Sequence, residues 1–222
     1  MSTMATTFSE ENYLKAIYHI SQKHHSAVST NAIAEHIRSR ASSVTDMIKK
    51  LAEKGYVEHI PYQGVQLTDK GRTVAIGVVR KHRLWEVFLV DKLNFKWDEV
   101  HDVAEQLEHI KSEKLINELD DFLGNPTKDP HGDAIPDREG NILSTHDALL
   151  ADMAQGEKCV CVGVKDSSSE FLKYLDKHEI ALGRKIRVLE KESFDQSLRI
   201  RIKKNELVIS HQIAANLYVK RL

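Results

Sequence analysis

The stretch that decides the fold is TNAIAEHIRSRASSVTDMIKKLAEK, residues 30–54. Apolar residues at helical spacing predict a short helix from Thr30 to Arg38 and a second helix from Ser43 to Lys54. Only four residues, 39–42, separate the two, so the pair has the form of a helix-turn-helix. A helix held away from the protein body by a short preceding helix can enter the major groove of DNA.

The flanking sequence completes a winged helix-turn-helix. A further helix is predicted upstream, from Glu10 to His24. Downstream, Gly55 ends the last helix, Tyr56–Ile60 alternates like a strand, and residues 61–64 form a turn before a returning strand. Helix, short helix, turn, helix and hairpin together predict a winged helix-turn-helix DNA-binding domain over residues 1–74.

Beyond the hairpin the pattern stays helical. Helices are predicted over Thr68–Asp91, Asp98–Ile110 and Ser112–Leu123. Residues 125–141 hold three of the four prolines and predict a structured loop. We therefore expect a helical domain over residues 75–148.

After Gly156 the hydrophobic period changes to that of strands. The predicted elements are the strands Lys158–Val164, Lys185–Glu190, Leu198–Ile202 and Glu206–Ser210, and a short helix over Glu170–His178. The fold class expected is mainly α, closed by a small β domain over residues 155–222.

Composition restricts the class of protein. The chain has 222 residues, of which 41% are hydrophobic and 29% charged, as in globular proteins. Its apolar runs are far shorter than the roughly 18 residues of a membrane helix, and its start lacks the order of a secretion signal. Cys159 and Cys161 are too few for a disulfide framework. We expect a cytoplasmic protein with no membrane partner.

The formal net charge of -1 conceals an uneven distribution. The net charge is +4 for residues 1–93, -10 for residues 94–155 and +5 for residues 156–222. The acidic middle is a candidate region for a divalent cation, and a solvated helix face is the alternative. Its histidines are His101, His109, His131 and His146.

The helix after the tight turn carries the side chains that are expected to read DNA. Four polar residues around its first turn face base edges, where hydroxyls and a carboxylate can accept or donate hydrogen bonds. They are Ser42, Ser43, Thr45 and Asp46. The flanking Arg40, Lys49 and Lys50 are predicted to contact phosphates. Double-stranded DNA is the expected partner, and a winged-helix module that binds proteins is the alternative.

Carboxylates and imidazoles recur at helical spacing on the next two helices, and six of them converge if those helices pack together. The set comprises His82, Glu86, His101, Glu105, Glu108 and His109. Oxygen and nitrogen donors without a thiol favour Mn²⁺ or Fe²⁺. Solvated pairs on exposed helices and a metal-dependent enzyme are the alternatives, although no catalytic residue is identified.

In their order and spacing, these motifs resemble the diphtheria toxin repressor family of metal-dependent transcriptional regulators. The likeness extends over essentially the whole chain, whose tail from Ala181 to Leu222 resembles an SH3-like domain. The segments that carry it are Glu11–Tyr18, Ile33–Glu35, Ser42–Thr45, Leu67–Arg72, Arg80–Glu86, Val100–His109 and Asp129–Pro136.

The resemblance implies a repressor of metal-ion homeostasis, with Mn²⁺ or Fe²⁺ as corepressor and Zn²⁺ able to bind in vitro. A homodimer formed by the middle helices would read a palindromic operator. Glu105 stands where iron-responsive members carry a thiol, which favours Mn²⁺.

The resemblance also implies two metal sites. The first takes the positions of Asn12, Glu105, Glu108 and His109, and Asn12 replaces a Met or Asp of other members. The second site takes the positions of His82, Glu86 and His101, with Glu170 as a further ligand from the SH3-like domain.

Overall fold

The structure is a computed structural model that describes residues 6–24, 27–60, 62–142 and 148–222. Pro61 of the predicted turn and His146 of the acidic middle lie outside the described residues. The chain divides into two compact units. The first comprises Met1–His82, Glu105–Asn117 and Pro136–Asn141, and the second comprises Arg83–Ala104, Glu118–Ile135 and Ile142–Leu222.

The first unit contains the winged helix-turn-helix. Its elements are α1 (Phe8–His24), α2 (Thr30–His36), α3 (Ala41–Glu53), β1 (Val57–Ile60) and β2 (Gly64–Leu67). Their fully buried side chains form one core, made of Leu14, Ile17, Ile33, Val44, Leu51 and Val65. The two strands pair as an antiparallel hairpin, so the fold predicted for this part of the chain is confirmed.

The two helices of the helix-turn-helix differ from prediction at their facing ends. α2 stops at His36 because Arg38 adopts a φ of 51°, a left-handed conformation that ends helices. α3 begins at Ala41, two residues earlier than predicted, so Ser42 and Ser43 lie within its first turn.

The wing is fixed to the segment before α2 by close backbone contact. Val28 and Val65 exchange two backbone hydrogen bonds of 2.8 and 2.9 Å. Gly64 makes this approach feasible, since its φ is +120° and a Cβ there would lie 2.2 Å from the carbonyl oxygen of Val28.

Three helices follow the wing: α4 (Asp69–Leu93), α5 (Val100–Leu107) and α6 (Glu113–Phe122). α5 is shorter than the predicted Asp98–Ile110, so Glu108 and His109 lie in the turn after it. Within the described part of the chain, no helix is long and apolar enough to cross a membrane.

The second unit contains a six-stranded antiparallel sheet in the order β3-β8-β4-β5-β6-β7. The strands are β3 (Ala148–Leu149), β4 (Lys158–Val164), β5 (Lys185–Lys191), β6 (Leu198–Ile202), β7 (Asn205–Ile209) and β8 (Leu217–Arg221), with helices α7 (Ser169–Lys177) and α8 (His211–Ala214). The small β domain is confirmed. The sequence patterns missed β3 and β8, which pair with each other and join the sheet at β4.

A buried ion pair links α1 to α3. The side chain of Glu10 has no exposed surface, and Lys54 Nζ donates to its two carboxylate oxygens at 2.8 and 3.0 Å. Lys50 Nζ lies 3.1 Å from the same carboxylate. Burial alone would raise the pKa of Glu10, but hydrogen bonds from Lys54, Thr7 and Lys50 outweigh it and lower the pKa to about 2.

Glu10→Gln is expected to lower the free energy of unfolding by about 2 kcal/mol at neutral pH, because it leaves Lys54 without its charged partner. The folded-state pKa of about 2 lies below the ordinary 4.5. The stabilisation is therefore complete above the ordinary pKa and is lost as pH falls through the folded-state value.

Urea denaturation at neutral pH and near pH 2 measures the difference. The exposed Glu53→Gln serves as control, with an expected change below about 0.5 kcal/mol. A destabilisation by Glu10→Gln that stays constant with pH would contradict the ion-pair explanation.

Candidate functional site

Glu108 is the centre of a cluster of charged side chains in the first unit. Its side chain is completely buried, and its Oε2 lies 2.6 Å from His82 Nδ1 and 2.8 Å from Lys15 Nζ. The same ammonium lies 2.5 Å from Glu105 Oε1, an atom 4.0 Å from His82 Nδ1. Lys15 of α1 and His82 of α4 thus both contact the segment that carries Glu105 and Glu108.

The second oxygen of Glu108 differs from the first in its partners. Oε1 is buried and accepts no hydrogen bond within the described part of the chain. His109 Nε2 lies 3.8 Å from it. Leaving a buried carboxylate oxygen unpaired is costly, and an oxygen and an imidazole nitrogen at this separation can both bind one metal ion.

Glu11 orients the imidazole of His109. His109 Nδ1 lies 2.7 Å from Glu11 Oε2, and Phe8 stacks on the ring at 4.7 Å. Burial by itself raises the pKa of Glu11, but hydrogen bonds from His109, Lys111 and Thr6 outweigh it and lower the pKa. Because an ionised carboxylate can only accept a hydrogen bond, His109 Nδ1 is the donor to Glu11. A neutral imidazole with its proton on Nδ1 keeps a free lone pair on Nε2. Carboxylates hold metal-binding histidines in this way.

A second cluster lies in the second unit. Glu86, Asp129 and His131 are all buried, and each offers a ligand atom within 4.8 Å of the other two. Glu86 Oε2 lies 3.5 Å from His131 Nδ1, and Glu86 Oε1 lies 3.6 Å from Nδ1 of the more exposed His101. One further carboxylate and two imidazoles thus surround Glu86.

The pKa values of Asp129 and His131 are shifted because several carboxylates lie close together in the protein interior. Burial raises the pKa of Asp129, and the nearby Asp133 and Glu86 raise it further. Burial by itself lowers the pKa of His131, but Glu86 and Asp129 outweigh it and raise the pKa to about 9. A divalent cation would relieve the repulsion between the carboxylates, and it would compete with a proton for His131.

The loop that carries Asp129 and His131 is held rigidly. Asp129 Oδ1 accepts the backbone N–H groups of His131 and Asp133, both at 2.9 Å. His131 Nε2 donates to the carbonyl oxygen of Trp97 at 2.8 Å, which leaves Nδ1 facing Glu86. Gly132 has a φ of +90°, and a Cβ there would lie 2.3 Å from the carbonyl oxygen of Val162 on β4.

The surface predicted to bind DNA is exposed. All seven predicted side chains are solvent-accessible: Arg40, Ser42, Ser43, Thr45, Asp46, Lys49 and Lys50. Two of them also make contacts within the protein. Thr45 Oγ1 donates to the carbonyl oxygen of Ala41 at 3.0 Å, and Lys50 pairs with Glu10.

Family models match three consecutive segments of the chain. The model of the iron dependent repressor N-terminal DNA binding domain matches residues 5–65. The model of the iron dependent repressor metal binding and dimerisation domain matches residues 68–137, and the FeoA domain model matches residues 148–221.

Similar proteins agree with these matches. The iron-dependent repressor IdeR of Mycobacterium bovis is 36% identical over 126 residues, which cover 57% of this chain and 54% of that protein. The diphtheria toxin repressor of Corynebacterium efficiens is 33% identical over 127 residues, with the same two coverages. The matched part of the chain thus spans about half the length of these relatives.

A solved structure extends the likeness to the full length. The manganese-dependent transcriptional repressor in complex with manganese superposes with a TM-score of 0.85 at 36% identity, over 96% of this chain and 100% of that chain. The chain belongs to the diphtheria toxin repressor family. The resemblance expected from the sequence is confirmed, and so is the fold class.

Within this member of the diphtheria toxin repressor family, the two predicted ligand sets stay predictions. In the first unit His82 lies beside Glu105 and Glu108, and in the second unit Glu86 lies beside His101. Asn12 is an exposed residue of α1, and Glu11 and Lys15 are the α1 side chains that contact the cluster. The ligand roles of Asn12 and Glu170 remain predictions.

Sequence patterns gave no ligand role to two members of the second cluster, Asp129 and His131, although His131 was among the histidines of the acidic middle. They come from a loop in which helical periodicity gives no information. The signal that could have found them is the Asp-Pro-His-Gly order of residues 129–132, where a carboxylate and an imidazole two residues apart precede a glycine. Glu170 is exposed, and the ligand clusters found among the described residues do not include it.

Gly132→Ala is expected to lower the free energy of unfolding by about 2 kcal/mol more than Gly156→Ala. Gly156 is a matched control, since its φ of +89° is close to the +90° of Gly132 but a Cβ there would meet nothing within 4 Å. Both variants carry the cost of a positive φ, and only Gly132→Ala forces a clash with β4. Equal destabilisation in chemical denaturation would show that the close approach of the loop to β4 is unimportant.

Proposed function

We propose that this protein is a cytoplasmic, metal-dependent transcriptional repressor that controls metal-ion homeostasis. Mn²⁺ or Fe²⁺ acts as corepressor and favours a homodimer that binds a palindromic operator. The observation that carries the proposal is the buried Glu108 Oε1, which accepts no hydrogen bond among the described residues and lies 3.8 Å from His109 Nε2. Family membership favours this function over a metal-dependent enzyme or a winged helix that binds only proteins.

The first proposed metal site is formed by Glu105, Glu108 and His109. These residues fit a divalent ion because they supply carboxylate oxygens and an imidazole nitrogen, and one of the oxygens is buried and accepts no hydrogen bond among the described residues. Glu105, Glu108 and His109 would hold the ion, whose charge would neutralise the two carboxylates. Glu11 fixes the His109 ring, and His82 donates to Glu108 Oε2.

The second proposed metal site is formed by Glu86, Asp129 and His131, with His101 at its exposed side. Its donors are again oxygen and nitrogen atoms. This donor set suits Mn²⁺ and Fe²⁺, and it also accepts Zn²⁺, which binds most N/O sites more tightly in vitro. The relatives support the choice, since one is a manganese-dependent repressor and another an iron-dependent repressor.

Helix α1 offers a physical route from the first site to DNA. Two consecutive residues of α1 contact different parts of the first unit. Glu11 forms a hydrogen bond with His109, and Glu10 forms an ion pair with Lys54, which follows α3. Glu11 would therefore pass a restraint on His109 to α1, and Glu10 would pass it on to the helix that reads DNA. Metal binding changes operator affinity if the ion binds more tightly to the arrangement of α1 and α3 that fits DNA than to the other arrangement.

An aromatic surface on the helices of the second unit suits a homodimer. Phe122 is 64% exposed and lies 6.4 Å from Phe88, which in turn lies 5.7 Å from Trp85. Leu93 is also half exposed. Aromatic side chains are enriched in interface cores, and a twofold dimer would place two α3 helices on half-sites about one DNA turn apart.

Operator binding should require metal. The probe is a DNA duplex selected from a random pool by the protein in the presence of Mn²⁺. Glu108→Gln and His109→Ala are expected to reduce the Mn²⁺-stimulated affinity at least about 10-fold, since each removes a ligand.

Fluorescence anisotropy with and without Mn²⁺, Fe²⁺ and Zn²⁺ measures this effect and ranks the metals. The exposed Glu118→Gln is the control and should behave as the parent protein. Equal affinity of the parent protein with and without every metal would refute the corepressor function.

Loss of Arg40 or Lys49 should weaken binding to all DNA sequences alike. Each is expected to contact a phosphate. Arg40→Ala and Lys49→Ala should therefore each make the slope of log association constant against log salt concentration less steep by about 1. Asp46→Ala should instead change which bases are preferred. Binding titrations at several salt concentrations test this, with the exposed Lys114→Ala of α6 as control. An unchanged salt slope in both variants would exclude α3 as the DNA-reading helix.

A further inference from the structure

Lys15 is a cation placed among the carboxylates of the first proposed metal site. Its side chain projects from α1 and is only 12% exposed. Its Nζ lies 2.5 Å from Glu105 Oε1 and 2.8 Å from Glu108 Oε2. One ammonium group thus bridges the two carboxylates that the proposed site would present to a metal ion.

The acceptor capacity of Glu108 Oε2 is already in use. A carboxylate oxygen has about two lone-pair positions, and Oε2 lies at hydrogen-bond distance from both Lys15 Nζ and His82 Nδ1. Oε1 of the same carboxylate accepts no hydrogen bond among the described residues. Lys15 therefore competes with an ion for Glu105 and for one side of Glu108, while the side facing His109 stays available.

Charge adds to this competition. The ammonium partly neutralises two carboxylates that would otherwise repel each other in a largely buried place. A dication bound to the same carboxylates would lie within a few ångströms of the ammonium and would be repelled by it. Simultaneous occupation is therefore unfavourable.

We propose that Lys15 competes with the metal ion for the carboxylates of Glu105 and Glu108. The ion binds by displacing the Lys15 ammonium from them. Lys15 then sets the metal concentration at which the protein responds. The inference rests on the proposed function of this cluster as a metal site. It assigns to Lys15 a role distinct from ligation, because an ammonium has no lone pair to donate.

The competition also connects to the DNA-binding elements. Lys15 shares α1 with Glu10, whose carboxylate pairs with Lys54, the residue directly after α3. Without metal, α1 is attached to the cluster through Lys15 and Glu11. With metal, the Lys15 attachment is released and His109 is fixed, so the two states hold α1 by different contacts.

The test is the affinity of Lys15→Met for Mn²⁺. Removal of an ammonium that makes two charge-assisted hydrogen bonds should tighten Mn²⁺ binding about 10- to 100-fold. Calorimetry and electron paramagnetic resonance of free Mn²⁺ give the dissociation constant without DNA. The Asp129→Asn background removes a ligand of the second cluster and so isolates the first.

Two variants serve as matched controls. Lys114→Met removes an exposed lysine of α6 that lies outside the cluster. It should leave the Mn²⁺ dissociation constant within about twofold of the parent, because the metal ligands keep their partners. Lys15→Arg retains the positive charge and should bind Mn²⁺ more weakly than Lys15→Met.

The outcomes separate the inference from the proposed function. Tighter Mn²⁺ binding by Lys15→Met, with Lys114→Met unchanged, supports the inference. Mn²⁺ binding by Lys15→Met but not by the parent protein also supports it. Equal or weaker binding by Lys15→Met, while the parent protein binds Mn²⁺, overturns the inference and leaves the proposed function intact. Absence of Mn²⁺ binding in both proteins overturns both.

A measurement on the unaltered protein decides the question even if Lys15→Met fails to fold. Trace acetylation read by mass spectrometry reports how accessible each lysine amine is. Saturating Mn²⁺ should increase the labelling of Lys15 severalfold and leave that of the exposed Lys114 unchanged. Labelling of Lys15 that does not increase with Mn²⁺ would show that the ion does not displace it.

Discussion

The burial of the Glu108 carboxylate is the constraint on which the arrangement of the first unit depends. A carboxylate without exposed surface is strongly unfavourable unless donors or cations surround it. Lys15 comes from α1 and His82 from α4, and both contact the same oxygen. One buried charge thus fixes the position of the first helix relative to α4 and to the turn after α5.

The same requirement extends along α1 to the helix that reads DNA. Glu10 is as deeply buried as Glu108, and its partners are Lys50 of α3 and Lys54, which directly follows α3. Glu11, the next residue, is also buried and forms a hydrogen bond with His109. Because buried ion pairs tolerate little displacement, α1 transmits restraint between the carboxylate cluster and α3. The coupling proposed between metal and DNA has this electrostatic basis.

The second unit satisfies buried carboxylates in another way. Asp129 accepts two backbone N–H groups of its own loop and lies 3.6 Å from Arg83, while Glu86 faces two imidazoles. The first cluster is formed mainly by side chains of helices, whereas this one depends on a loop held against β4. An ion at the second cluster would therefore stabilise the loop, and an ion at the first would restrain α1.

The sequence by itself determined the order of the main helices and of the strands other than β3 and β8, the exposed face of α3 and the family, because these depend on local periodicity and on the spacing of motifs. Helical spacing also selected Glu105, Glu108 and His109. It could not show that α5 ends at Leu107, since the contacts of Glu108 and His109 with other helices override their helical propensity.

Tertiary structure alone decided which groups meet. It placed His82 beside Glu108, brought Lys15 between two carboxylates, and gathered Asp129 and His131 around Glu86. Periodicity specifies the face of a helix on which a side chain lies, but not the partner that the face contacts. The requirement to neutralise buried charge selects those partners, and that requirement exists only once the chain has folded.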